Sequence, residues 1–200
     1  MKNNILLIVG PSGVGKTTLQ NHLTQNYSFI IPICATTRSR RQDDNFSNYV
    51  YLCNEEFDNY SNNGAFFFQT GRGTKYGYFK LDENMDRPII LITSYKYVDF
   101  IKTISKNVAV FLLTYTNYMD SMYMRLSKRN ISQDEILLRY IHAVEEYKMY
   151  YPIIKDDAQL IVHTDEYTEA ETFLKAKEWI ENNNFAQEIS QNKIMRKRQL

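Results

Sequence analysis

The run GPSGVGKTTL, Gly10 to Leu19, follows directly on the apolar stretch ILLIVG near the start of the chain. Gly10 and Gly15 bracket Lys16 and Thr17 in the spacing G-x-x-x-x-G-K-[ST], in which the backbone bends around an anion and turns several N–H groups inward. Ser12, Gly13, Val14 and Thr18 complete the segment expected to wrap a nucleotide phosphate. Ile5–Val9 reads as a buried strand, and the segment from Lys16 through His22 and Leu23 as a helix whose N-terminus faces the same anion. A strand, an anion loop and a helix in that order point to an α/β fold with a P-loop NTPase core.

Length and charge narrow the rest. The 200 residues, 44% of them hydrophobic, make one medium domain or one domain carrying an insert. A formal charge of +1 gives no overall field for nucleic acid or an acidic membrane, so any anion site is local. The opening apolar run is too short for a signal peptide, no other run approaches membrane-spanning length, and Cys34 and Cys53 have no metal spacing. These features predict a reduced, cytoplasmic protein.

Short apolar runs alternate with helical patterns along the chain. FIIPICATT, PIILITS, NVAVFLLTY and AQLIVHT read as strands. NEEFDNYSNNG, NYMDSMYMRLSKR, QDEILLRYIHAVEEYKMYY and YTEAETFLKAKEWIENN read as helices, the last with Leu174 and Ile180 on its apolar face. Such alternation predicts a parallel sheet flanked by helices. Residues 36–78, rich in Asn and Tyr, break the alternation and read as an inserted acceptor-binding subdomain, and KIMRKRQL closes the chain as a basic, solvated tail within residues 183–200. The three histidines, His22, His142 and His163, are scattered in a way that fits neither a metal cluster nor a catalytic triad.

The loop, then TTRSRR, YVYLCNEEF, the YG of Tyr76–Gly77, RLSKR and LIVHTDE together resemble the guanylate kinase family in order and spacing, over a domain of residues 1–182. The resemblance implies an ATP-binding core, a lid at residues 125–140 and an inserted subdomain for a nucleoside monophosphate. It implies that Lys16 reaches the β- and γ-phosphates of ATP and that Thr17 helps hold Mg²⁺. Arg38 and Arg41 match the arginines that grip the acceptor phosphate, a task suited to a planar guanidinium fork. Tyr49 and Tyr76 match the tyrosines that bind the same phosphate. Arg129 and Arg139 resemble the lid arginines that neutralise charge on the transferring group, with Arg139 slightly earlier in the chain than usual. Phosphoryl transfer of this kind needs no general base, because the acceptor phosphate is already an oxyanion.

The departures fall on the part of the acceptor site that reads the base. Phe67 stands where the resemblance implies a guanine-pairing glutamate, and Gln69 is the nearest polar substitute. Cys34 replaces a serine, and Tyr78 a small hydroxyl residue. The strand expected to end in an aspartate ends in Thr93 and Ser94. Phenylalanine accepts no hydrogen bond from a guanine edge. Three readings follow: a kinase using GMP through a divergent base pocket, a kinase for another phosphorylated acceptor such as ribose 1,5-bisphosphate, or a nucleotide-binding or interaction module without turnover.

Overall fold

A computed structural model of the protein describes residues 4–40, 48–70, 73–81, 86–128 and 132–189. The chain divides into two compact units, one formed by Met1–Ile30 with Arg87–Leu200 and the other by Ile31–Asp86.

The first unit is built on a fully parallel sheet. β1 (Ile5–Val9) lies between β6 (Ile89–Thr93) and β7 (Val108–Thr114), and β8 (Leu160–His163) adds to β7. All five β1 residues are buried, as expected of a central parallel strand covered on both faces. Thr93, Val9 and Leu112 lie in register, so the loop after β1 emerges at the C-terminal edge of the sheet, where α/β folds hold ligands. The helices of this unit are α1 (Lys16–Asn26), α3 (Val98–Ile104), α4 (Tyr118–Ser127), α5 (Gln133–Asp157) and α6 (Glu169–Asn182). α1 packs on α6, and α4 on α5. Thr168 caps α6: its hydroxyl accepts from Glu171 N–H while the Glu171 carboxylate accepts from Thr168 N–H.

Two sequence expectations are corrected here. FIIPICATT is not one strand: Ile30 makes a single bridge to Ile89, and only Cys34–Thr36 forms β2, in the other unit. Pro32 stands between them and has no N–H for a ladder. Leu174 is 57% exposed, because α6 buries Thr172, Ala176 and Ile180, four residues apart, and a residue two positions along lies on the far side of the helix.

The second unit is a mixed sheet in the order β3 (Tyr49–Tyr51), β2, β5 (Tyr76–Phe79), β4 (Phe66–Thr70). β2 runs parallel to β3 and antiparallel to β5, and a bulge separates Phe66 from Phe68 on β4. α2 (Asn54–Asn62) covers one face, with Phe57 4.9 Å from Phe66 and Tyr60 5.4 Å from Phe79 between ring centroids. Gly77 is the point of closest approach on that face. A Cβ there would stand 2.7 Å from the Phe66 ring.

Candidate active site

The anion loop takes its shape from three left-handed glycines, Gly10 at φ 151°, Gly13 at 84° and Gly15 at 98°. A side chain at Gly10 is excluded twice over, by its φ and because a Cβ would meet the Leu113 carbonyl of β7 at 2.2 Å. Gly15 caps α1 without a capping side chain, and no acidic residue stands in the first turn. The helix N-terminus therefore offers its N–H groups and dipole to an anion rather than to its own side chains. Lys16 Nζ donates to the carbonyls of Gly10 and Pro11, 2.7 Å each, which holds the ammonium across the loop. Thr17 is exposed in the first turn, with its hydroxyl available as a metal ligand, and Thr18 lines the adjoining pocket.

That pocket is bounded by Val14, Gly15, Thr18, His22, Arg125 and Tyr167 among others. Arg125 opens the RLSKR segment and lies on α4. Here its guanidinium lies 5.3 Å over the Tyr115 ring and donates to the Thr164 carbonyl at 2.5 Å, which turns it into a wall of the pocket. His163 does not line the pocket; its Nδ1 lies 3.0 Å from Thr116 Oγ1. Asp165 ties the adjacent corner together by accepting from Thr116 N–H, Asn117 N–H and Ser121 Oγ. Burial acts to raise its pKa, but these donors outweigh it and hold the carboxyl below its usual value.

In the second unit, strand register sorts the acceptor candidates by face. Cys34 pairs with Tyr49 and Tyr78, Thr36 with Tyr51 and Tyr76, Phe68 with Tyr78, and Thr70 with Tyr76, so these side chains share the face opposite α2. Arg38 joins them, its guanidinium 4.9 Å over Tyr49 and 5.6 Å over Tyr51, and Arg40 lies 5.0 Å over Tyr51. Arg40 was not singled out in the sequence; only the structure separates it from its basic neighbours. Arg41 lies outside the described residues. Phe67 reaches the same face through the β4 bulge, its ring 6.2 Å from Tyr78. Gln69 does not: it pairs with Gly77, is exposed, and falls on the α2 side.

The polar atoms around those rings stay protonated. Burial pushes the Cys34 thiol up to about 12, against lowering by a Gly77 backbone hydrogen bond and by Arg38. Tyr78 keeps part of its side chain accessible, but its hydroxyl end is enclosed, and this burial, with Cys34, Tyr49 and Tyr76 nearby, raises its pKa well above the ordinary tyrosine value. Both are neutral hydrogen-bonding groups at physiological pH rather than the carboxylate expected for a guanine edge.

Of the lid arginines, Arg139 sits on α5 and pairs with Glu135 one turn earlier, while Arg129 lies outside the described residues. Among the described residues no three His, Cys, Asp or Glu side chains form a cluster able to hold a metal by themselves. The donor set near the loop instead suits an ion that keeps most of its water and leans on phosphate oxygens, which is the habit of Mg²⁺.

The comparisons agree with this geometry. The Guanylate kinase family model matches residues 2–177. A guanylate kinase from Mycoplasmoides gallisepticum is 31% identical over 169 residues, spanning 78% of this chain and 86% of that one. One from Clostridium tetani is 27% identical over 168 residues, spanning 78% and 79%. The crystal structure of guanylate kinase from Anaplasma phagocytophilum superposes with a TM-score of 0.65 at 16% identity, covering 98% of this chain and 95% of that one, a likeness of fold. A phosphate loop shaped by glycines on a parallel sheet, and a family match that runs through both units, lead to one assignment: this chain belongs to the guanylate kinase family.

Proposed function

We propose that the protein is an ATP-dependent phosphotransferase that moves the γ-phosphate of Mg-ATP to the phosphate of GMP, yielding ADP and GDP. The observation that carries this reading is the intact anion loop with Lys16 held across it. An oxygen of the acceptor phosphate attacks the γ-phosphorus, and the bond from that phosphorus to the β,γ-bridging oxygen breaks, leaving ADP. Lys16 stabilises charge on the β- and γ-phosphates, and the N–H groups at the start of α1 orient them. Thr17 would help hold magnesium, which would supply further neutralisation of the phosphate charge.

Arg38, Tyr49 and Tyr76 hold the acceptor phosphate, with Arg41 as a second guanidinium, while Arg129 and Arg139 serve the transferring group from the lid. The base meets the Phe67 ring and the accessible part of the Tyr78 ring by stacking, with the Cys34 thiol and Tyr78 hydroxyl enclosed behind them. The cytoplasm, where ATP and nucleoside monophosphates are available, is the working compartment on this reading.

A second reading, a different phosphorylated acceptor, is favoured by one observation: aromatic rings stand where a guanine-pairing carboxylate is expected. A coupled ADP-release assay with Mg-ATP against GMP, dGMP, AMP, CMP, UMP and ribose 1,5-bisphosphate, beside Lys16→Ala, tests both. Turnover confined to GMP and dGMP upholds the first reading. Turnover on another member transfers the acceptor assignment to that compound. ATP binding without turnover on any of them overturns the GMP assignment.

A further inference from the structure

The pocket beside the anion loop follows one face of α1. Gly15, Thr18 and His22 line it at three- and four-residue spacing, the repeat that keeps residues on one side of a helix. At 1.5 Å per residue they span about 10 Å. The Gly15 end belongs to the phosphates of the proposed donor, so the remainder lies where a group attached to those phosphates extends. Arg125 forms one wall of this space, and Thr164, whose carbonyl holds the guanidinium, lies in the turn that follows β8. Three residues further along the same turn stands Tyr167, which forms another wall.

Tyr167 stands between two anchors. Before it, Glu166 N–H donates to the His163 carbonyl at 3.0 Å, and the Glu166 carboxylate accepts from the Thr116 hydroxyl. After it, Thr168 opens α6 in its capping box with Glu171. Tyr167 is therefore the residue just before the cap and Thr172 the fourth residue of the helix, two positions that pack together at helix starts, and both line the pocket. From two turns along α6 the Lys175 ammonium lies 4.3 Å from the centroid of the Tyr167 ring, which places a cation over one face. The ring is only half-buried, so it is not a core side chain. A ring anchored in this way loses little freedom when a flat ligand meets its other face.

We propose that Tyr167 is a specificity-determining residue of the donor site, stacking on the heteroaromatic base of a nucleoside triphosphate, and that Lys175 is a positioning residue that braces the ring from behind. The proposal rests on the phosphotransferase reading above. It makes the site prefer a donor that carries a base over a bare polyphosphate, although the anion loop grips both through the same phosphates.

The test compares two ligands on the full chain by isothermal titration calorimetry in Mg²⁺: the non-transferable analogue β,γ-methylene-ATP, and tripolyphosphate, which has the phosphates without the base. Tyr167→Ala is expected to weaken the analogue about 5- to 100-fold, the scale of losing one base–aromatic stack, and to leave tripolyphosphate unchanged. Tyr167→Phe, which keeps the ring, is expected to stay within about twofold of wild type for both. Lys175→Met is expected to weaken the analogue alone by about two- to fivefold, and Lys175→Arg to restore it. Should Tyr167→Ala fail to fold, Tyr167→Leu carries the same readout with the bulk kept and the ring removed. Unchanged analogue affinity without the ring, an equal loss for both ligands, or a Phe variant as weak as the Ala variant overturns the stacking role. An unchanged Lys175→Met variant, or one that loses both ligands equally, overturns the bracing role. A wild-type protein that binds tripolyphosphate as tightly as the analogue overturns the proposal alone, whereas one that binds neither overturns the phosphotransferase reading, so the two failures are distinct.

Discussion

On the proposed reading, the nucleotide loop and the acceptor sheet would recognise phosphate with different parts of the chain. In the loop the backbone does the work: three glycines at positive φ, a helix N-terminus and one lysine, with a neighbouring strand closing the space at Gly10. On the acceptor sheet the work falls to side chains: Arg38 stacked over Tyr49 and Tyr51, Tyr76 in line, and a surround of Cys34, Phe67, Phe68 and Tyr78. A backbone site tolerates little change because its shape depends on glycine. A side-chain site can keep its phosphate grips while the residues beside them are exchanged, and here rings and neutral polar groups stand where the resemblance implies a charged base reader.

That contrast can be broken most decisively at Lys16. Lys16→Ala is expected to lower kcat by about 10³-fold, the scale of losing a preorganised group aimed at developing charge, with an unchanged thermal midpoint. Residual turnover near wild type would remove the loop from the chemistry. Arg38→Ala is expected to lower acceptor kcat/KM by roughly 30- to 100-fold while ATP affinity holds, as for a charge-assisted hydrogen bond to phosphate. An equal loss of ATP affinity would end the division of labour between loop and sheet.

The sheet itself can be probed at Gly77, where a methyl group must displace the Phe66 ring. Gly77→Ala is expected to destabilise the protein by about 1–3 kcal/mol in urea melts, the range of core overpacking. A neutral result would mean that Phe66 has somewhere else to go. Phe67→Glu sharpens the comparison from the other side. If the acceptor is GMP, a carboxylate on this face should lower its KM about tenfold, the scale of one hydrogen bond to a charged group. No gain for GMP would favour another acceptor. Gln69→Ala should change acceptor KM and stability hardly at all, within about 0.5 kcal/mol, because the residue is exposed on the α2 face. A large effect there would contradict the register of β4 on β5.

Much of the core was legible before any coordinates. Ile5–Val9, PIILITS and NVAVFLLTY are strands whose apolar runs mark burial on both faces, AQLIVHT is a strand at the sheet edge, and the loop motif announces its own geometry. Other features could not be read along the chain. FIIPICATT is uniformly apolar, yet Pro32 falls where one unit hands over to the next, and a short apolar run does not reveal which sheet it joins. Leu174 and Gln69 look like an apolar-face residue and a base reader until helix rotation and strand register turn each the other way. Arg125 was hidden among ordinary helix charges, because a helix alone does not say what its charged face meets.

The sequence by itself determined the anion loop, the parallel α/β core and the family, because glycine spacing and buried apolar runs act through local backbone geometry and periodicity. Tertiary structure alone decided which aromatic side chains share the acceptor face and that Arg125 walls the pocket. Those outcomes depend on register, a bulge and the packing of one helix on another turn of chain. Their causes lie between residues far apart in sequence, where no local pattern records them.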